Sequence, residues 1–282
     1  MRLCSLPLLA VLAVACSSGT GGGNPDGGSS GIGGPDGGGQ VPGASSTVPV
    51  SVPASMRSAP FDAPRSLNVP QGFSIAVYAR VPGARFIAVT PEGNLLVSRP
   101  GAGKVSLVQA GSAGGDPVVS DWVSGLRLPH DMVFHRIGDT LWLYVSESNG
   151  VRRYAWTGAT TAPASEPVVT GLPDSSTPEV HGSYGHELKN IALDSQDRLF
   201  VAIASSCNVC VSDAQADPVR GSMYVYTATG GNGRLYARGL RNAEGLAFFP
   251  GTDDLWVAVN NRDNLPYPFD DGTGQYGQII PS

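Results

Sequence analysis

The stretch YGHELKNIALDSQDRLFVAI, residues 184–203, sets His186 just ahead of two apolar runs separated by a polar turn. A neutral imidazole titrates near working pH, so a histidine at such a place suits removal of a hydroxyl proton. A structural histidine at the start of a strand meets the same description, and the stretch alone leaves both readings open. In GLRNAEGLAF, residues 239–248, Arg241 stands in an apolar context where a guanidinium needs a partner. An anionic or carbonyl-rich ligand would supply one, and so would a carboxylate from Glu244 or Asp263. Asn242 beside it reads either as part of the same contact or as a turn residue.

Other polar residues carry weaker signals. His130, in LPHDM, takes the repeat-related place before the preceding apolar pair, where it would touch a substrate or serve as a structural histidine. His135 and His181 receive no role. His130, His181 and His186 lack short helical metal spacing, which argues against a zinc site. Asp131 with Asp263 could offer carboxylates to a calcium ion or a hydrolytic metal, although acidic residues at such places in β-proteins commonly form turns. Cys207 and Cys210 form a C-x-x-C with no histidine after it, which excludes covalent haem attachment. In an exported chain this pair predicts a local disulfide.

The elements that would position these residues are strands. Four segments, 87–99, 132–147, 191–203 and 246–259, share one pattern: an apolar strand, a turn rich in Gly, Asp, Pro or Asn, and a second strand. Val97, Val145, Val201 and Val257 fall at matching positions, about fifty residues apart as propeller blades do. The pattern predicts an all-β fold, a β-propeller of four-stranded blades in which each segment is the inner hairpin, with room for about four blades. A β-sandwich with regular turns is the alternative. The run GFSIAVYARV, residues 72–81, reads as the strand that would close the ring, and the chain ends before any further blade, so the propeller is expected to be incomplete at its C-terminus.

Ahead of these strands the composition changes. Residues 1–16, MRLCSLPLLAVLAVAC, carry Arg2, an apolar run and small residues before Cys16, the layout of an export signal too short to span a bilayer. The end LAVAC resembles the lipobox of bacterial lipoproteins, in which Cys16 would become the lipidated first residue of the mature chain. Residues 17–58 are rich in Gly, Ser and Pro and poor in large apolar side chains, which predicts a flexible tether. The propeller domain is expected over 59–282. The net charge of −5, with 18 Lys and Arg against 23 Asp and Glu, and the lack of a basic stripe argue against nucleic acid as a partner.

The chain resembles the soluble quinoprotein glucose and sorbosone dehydrogenases, six-bladed propellers that use pyrroloquinoline quinone (PQQ) and calcium. The likeness runs through LNVPQGFSIAVYARV (67–81), RFIAVTPEGNLLVS (85–98), LPHDMVFH (128–135), HELKNIALDSQDRLFVAIASSCNVC (186–210), YARGLRNAEGLAFFP (236–250) and LWVAVNNRDNL (255–265). Its most specific part is H-x-x-x-N before one hairpin with GLRN-x-x-GLAF before the next, and SSCNVC is most similar to the sorbosone branch. The resemblance implies His186 as the general base that takes the proton of a sugar's anomeric hydroxyl. It implies Arg241 and Asn242 on PQQ, and Asn261 and Arg262 as backbone carbonyls near calcium, where the glucose branch has a Gly-Pro pair. It further implies an aldose or related sugar as substrate, a downstream electron acceptor, and a membrane reached only through the lipid on Cys16, at the outer membrane or surface of a bacterium. Two other functions remain on the same fold: a non-catalytic binding propeller without the cofactor site, and a calcium-dependent lactonase.

Overall fold

The computed structural model describes residues 45–262 together with 266, 270, 272, 273, 277 and 278. The signal segment with Cys16, the greater part of the tether and Asp263 lie outside the described residues.

Three four-stranded antiparallel sheets follow one another along the chain. The first holds β3 (Phe86–Val89), β4 (Leu95–Arg99), β5 (Lys104–Gln109) and β6 (Val118–Ser124). The second holds β7 (Met132–Ile137), β8 (Thr140–Glu147), β9 (Gly150–Ala155) and β10 (Ser165–Thr170). The third holds β11 (Ile191–Leu193), β12 (Arg198–Ile203), β13 (Ser222–Thr227) and β14 (Arg234–Arg238). A hairpin of β15 (Asn242–Phe248) and β16 (Leu255–Asn260) begins a fourth. Strands within each sheet run in sequence order, as propeller blades do.

The inner strands make the ring. β3 lies against β7, β7 against β11, and β11 against β15, so the first strand of each blade faces a common axis. Between blades the sheets bury apolar faces. Leu96, Trp122, Leu143 and Val145 fill the first joint; Tyr144, Ile191, Leu199 and Val201 the second; Phe200, Met223 and Val225 pack with Leu246 and Val257 in the third. Each such side chain contributes roughly 1.5–3 kcal/mol by leaving water. Three of the four repeat valines, Val97, Val145 and Val201, are buried, which explains why the repeat is visible in sequence.

Local chemistry sets the turns. In the third blade Asp194 Oδ1 accepts the backbone N–H groups of Gln196 and Arg198 at 3.0 and 2.9 Å, and Asp197 adopts φ 57° to close the hairpin. Gly230, at φ +94°, lies so close to the carbonyl of Val168 that a Cβ would sit 1.7 Å from it, so only glycine lets this turn meet β10 of the neighbouring blade. Tyr144 Oη closes the same joint by donating to the Ala228 carbonyl at 2.7 Å.

The N-terminal part differs from the sequence expectation in two places. Ser45–Pro49 forms β1 and pairs antiparallel with β2 (Ser66–Pro70), so ordered backbone begins inside the stretch read as a tether. The composition concealed it because a two-stranded ribbon needs few large side chains when its bonds are backbone bonds. The run 72–81 is not a strand of a blade. It makes a single parallel bridge, Ala76 to Ser51, and its Ile75, Val77 and Val81 cover an apolar cavity of about 540 Å3 against Ile87 and Val97 of the first blade.

Candidate active site

The residues that enter the first strand of each blade converge at one end of the axis. Arg85 precedes β3, Leu128 precedes β7, His186 precedes β11, and Glu244 lies near the start of β15. These four residues, with Tyr184 and Glu187, line a cavity of about 300 Å3. Sequence reasoning placed His186 at this end; it missed Arg85 and named Glu244 only as an ion-pair candidate for Arg241.

His186 Nδ1 lies 2.8 Å from the carbonyl of Ser205 and makes a longer contact, 3.4 Å, with the Oγ of the same residue. A carbonyl can only accept, so Nδ1 carries the hydrogen and Nε2 carries the lone pair. The neutral ring thereby presents the lone pair of Nε2. Its loop is fastened on both sides: Gly185 N–H donates to the Ser206 carbonyl at 2.7 Å, and Tyr184 Oη donates to the Ala204 carbonyl at 2.6 Å.

Lys189, three residues on, is wholly buried. Its Nζ donates to the Glu187 carbonyl and stands 5.1 Å from the centre of the Tyr184 ring, bracing the segment that carries His186. Burial pushes its pKa down to about 7, against the pull of Asp174 and Glu187. Asn190 explains the last place of H-x-x-x-N: its Nδ2 donates to the Glu244 carbonyl at 2.8 Å, joining the third blade to the fourth. Nothing local in the sequence announces either contact.

Asp131 is buried, and both oxygens of its carboxylate are engaged by backbone N–H groups. Its Oδ2 accepts Ile191 N–H at 2.9 Å and its Oδ1 accepts Met132 N–H at 2.7 Å, clamping the second blade to the third. Burial raises its pKa to about 6. Among the described residues no group of three or more His, Cys, Asp or Glu could hold a metal ion.

His130 is buried, and among the described residues neither ring nitrogen has a hydrogen-bond partner. Its ring meets Phe86 edge-on at 5.7 Å, and Nε2 stands 3.9 Å from Glu244 Oε2. Burial first, and Arg85 beyond that, pull its pKa down to about 4 against the attraction of Glu244, so the ring is neutral. Between pH 6.5 and 4 the unfolded chain therefore takes up a proton that folded His130 refuses, and stability falls as pH falls through that window. Asp131 acts oppositely: between about pH 6 and 3.8 the folded carboxyl keeps a proton that the unfolded one releases, so its contribution rises as pH falls. His130→Phe should remove the first effect alone. Relative to wild type, the variant should gain on the order of 2 kcal/mol between pH 7 and 4.5, read from urea unfolding at both pH values; equal pH dependence of the two proteins would contradict this.

Arg241 and Asn242 do not share one environment. Arg241 Nε donates to the Asn208 carbonyl at 3.1 Å, Nη2 to Asn208 Oδ1 at 2.9 Å, and Nη1 to the Asn260 carbonyl at 3.3 Å. The carboxylate of Glu244 pairs with Arg85 at 3.5 Å. Asn242 is buried and donates from Nδ2 to Glu244 Oε1 at 2.8 Å. Arg241, at the bend before β15, faces a second cleft, while Asn242, the first residue of β15, reaches the His186 cavity through Glu244.

That second cleft, about 600 Å3, is lined by Arg220, Arg238, Arg241 and Arg262 with Asn208 and Asn261. Arg220 is paired with Asp213, and among the described lining residues arginines outnumber carboxylates. Asn261 and Arg262 are exposed, and Arg262 N–H donates to Asn261 Oδ1 at 2.8 Å. Cys207 and Cys210 are bonded to each other with their Cα atoms 5.5 Å apart, and the loop they close carries Asn208. One residue links the two cavities: Ser205 accepts His186 through its carbonyl and donates its N–H to the Arg241 carbonyl at 2.7 Å.

A family model described as TrAA12-like matches residues 67–272, nearly all of the strand-bearing chain. The chain belongs to the TrAA12-like family. Solved structures give this TrAA12-like protein a consistent fold. It is 19% identical to the holo form of the pyranose dehydrogenase PQQ domain from Coprinopsis cinerea, with a TM-score of 0.58 over 70% of this chain and 48% of that one. It is 21% identical to the Trichoderma reesei Carbohydrate-Active Enzymes Family AA12 protein in its iodide structure, with a TM-score of 0.53 over 65% of this chain and 47% of that one. The chain thus spans about half the length of the solved structures it matches. No curated protein matches it.

Proposed function

We propose that this protein is a sugar dehydrogenase that uses PQQ as electron acceptor and His186 as base. The observation that carries the reading is the His186 Nδ1 to Ser205 hydrogen bond of 2.8 Å, which leaves Nε2 as a proton acceptor at the axial end of the blades. An adjoining cleft lined by four arginines suits an anionic, carbonyl-rich cofactor, since guanidinium groups match carboxylates in geometry and charge. Membership of the TrAA12-like family and the likeness to a PQQ domain support the same choice. In this reading Arg241 holds PQQ, with Arg238 and Arg262 contributing charge. Asn242 acts through Glu244 instead of touching the cofactor. PQQ, when bound, supplies a quinone that accepts two electrons with the hydrogen of the sugar's anomeric carbon. His186 Nε2 takes the proton of the anomeric hydroxyl, so the sugar loses two electrons and two hydrogens and leaves as a lactone.

The remaining assignments are parts of the same proposal: a sorbosone-type or glucose-type aldose as substrate, calcium near the carbonyls of Asn261 and Arg262, export with a lipid on Cys16, and transfer of electrons to a downstream acceptor. One observation favours a second reading, a binding propeller without catalysis: His186 and Arg241 line separate cavities. The lactonase reading loses support because both carboxylate oxygens of Asp131 are engaged by backbone N–H groups. The test is to load the full chain with PQQ and calcium and measure aldose-dependent reduction of a redox dye. Reduction that requires both PQQ and sugar is expected. PQQ-free sugar binding without any reduction would select the binding propeller, and lactone hydrolysis needing calcium alone would select the lactonase.

A further inference from the structure

Glu244 brings to the His186 cavity a carboxylate with hydrogen-bonding capacity to spare. Its Oε1 accepts Asn242 Nδ2 at 2.8 Å, and its own carbonyl accepts Asn190 Nδ2 at 2.8 Å, so both the side chain and the backbone are fixed. Among the described residues the contacts of Oε2 are long, 3.5 Å to Arg85 Nη2 and 3.9 Å to His130 Nε2. An ionised carboxylate is an acceptor only and has room for about four hydrogen bonds. Oε2 is therefore an aimed acceptor short of donors, in the cavity that also holds His186.

His130 gives an independent sign of a ligand. It is 2% exposed, and among the described residues neither ring nitrogen has a hydrogen-bond partner, which is rare because each buried, unpaired polar group is costly. Its Nε2 is 3.9 Å from Oε2. A donor arriving at Glu244 from the cavity would draw charge off Arg85, and a shift of about 1 Å would bring Oε2 within hydrogen-bond reach of a His130 N–H.

We propose that Glu244 is a specificity-determining residue that accepts a hydrogen bond from the sugar hydroxyl next to the anomeric carbon, with His130 as the positioning residue beside it. The proposal rests on the sugar-dehydrogenase reading above and adds to it a residue and a selection rule. A site built to bind a hydroxyl rejects an analogue without one, because the acceptor is then desolvated and left unpaired. A sugar lacking the hydroxyl at C2 should fit the cavity and still be a poor substrate.

The experiment compares D-glucose with 2-deoxy-D-glucose on the PQQ-loaded full chain, in wild type, Glu244→Gln and Glu244→Ala. Wild type should prefer glucose by on the order of 100-fold in kcat/KM, mainly through KM, and Glu244→Ala should lower that preference below about 10-fold. Glu244→Gln keeps the size and the Asn242 contact, and checks that any loss is not one of folding. A second readout needs no turnover: 15N signals of the His130 ring should move on adding glucose to wild type and stay fixed in Glu244→Ala. Wild-type oxidation of glucose with the full preference retained in Glu244→Ala would overturn the role of Glu244 and leave the dehydrogenase reading standing. Neither oxidation nor binding of either sugar by wild type would overturn both.

Discussion

Replacing His186 by alanine is expected to lower kcat for sugar oxidation by about 1,000-fold while leaving PQQ affinity within about two-fold. The size follows from general-base catalysis, which contributes typically 10²–10⁴-fold when the base is positioned and its lone pair free. The structure supplies both conditions: the loop is fastened through Gly185 and Tyr184, and the Ser205 carbonyl fixes the tautomer. The small effect on cofactor follows from the separation of His186 from the arginine cleft. Folding should survive, since the ring makes one hydrogen bond to backbone, worth about 1 kcal/mol. Steady-state kinetics with a PQQ titration checks both numbers. A loss of cofactor affinity equal to the loss of rate would place His186 on the cofactor and not on the proton.

Replacing Arg241 by alanine is expected to do the reverse, weakening PQQ binding by roughly 10- to 100-fold, the range of a lost charge-assisted hydrogen bond. Arg241→Lys should recover only part of it, because an ammonium cannot reproduce the fork that now engages Asn208 through both Nε and Nη2. The Cys207–Cys210 bridge enters here. It closes the loop that carries Asn208, and Ser205 Oγ donates to the Cys207 carbonyl at 2.8 Å. Cys207→Ser with Cys210→Ser should therefore weaken PQQ binding in the same direction as Arg241→Ala, by a smaller factor, with the His186-dependent rate at saturating PQQ less affected. Calorimetry of PQQ binding to the three variants decides it. Unchanged affinity in Arg241→Ala would remove this arginine from the cofactor site.

The inner hairpins were legible in the sequence because each is a short-range object: two apolar strands and a turn whose residues have their own chemistry, as with Asp194 and Asp197. His186 was legible for a related reason, since the repeat fixes its place before an inner strand. The rest of the site is made of contacts between blades. Asn190 reaches Glu244, Asp131 reaches Ile191, and Arg85 meets Glu244 from the first blade, at sequence separations of 54, 60 and 159. No periodicity encodes these. Arg241 and Asn242 were read together because they are adjacent, yet Arg241 stands at the bend before β15 and Asn242 begins the strand, and they serve different cavities. The pairing of β1 with β2 escaped notice because its bonds are backbone bonds between segments poor in large apolar side chains.

The most direct test of His186 as a base beside a quinone is a single turnover. The PQQ-loaded full chain is mixed with D-glucose in a stopped-flow instrument, and the absorbance of the cofactor is followed for wild type and His186→Gln at equal PQQ occupancy. Expected is rapid reduction of bound PQQ by sugar in wild type and reduction slowed by about 1,000-fold in His186→Gln. Bound PQQ that glucose leaves oxidised in wild type, or equal rates in the two proteins, would contradict it.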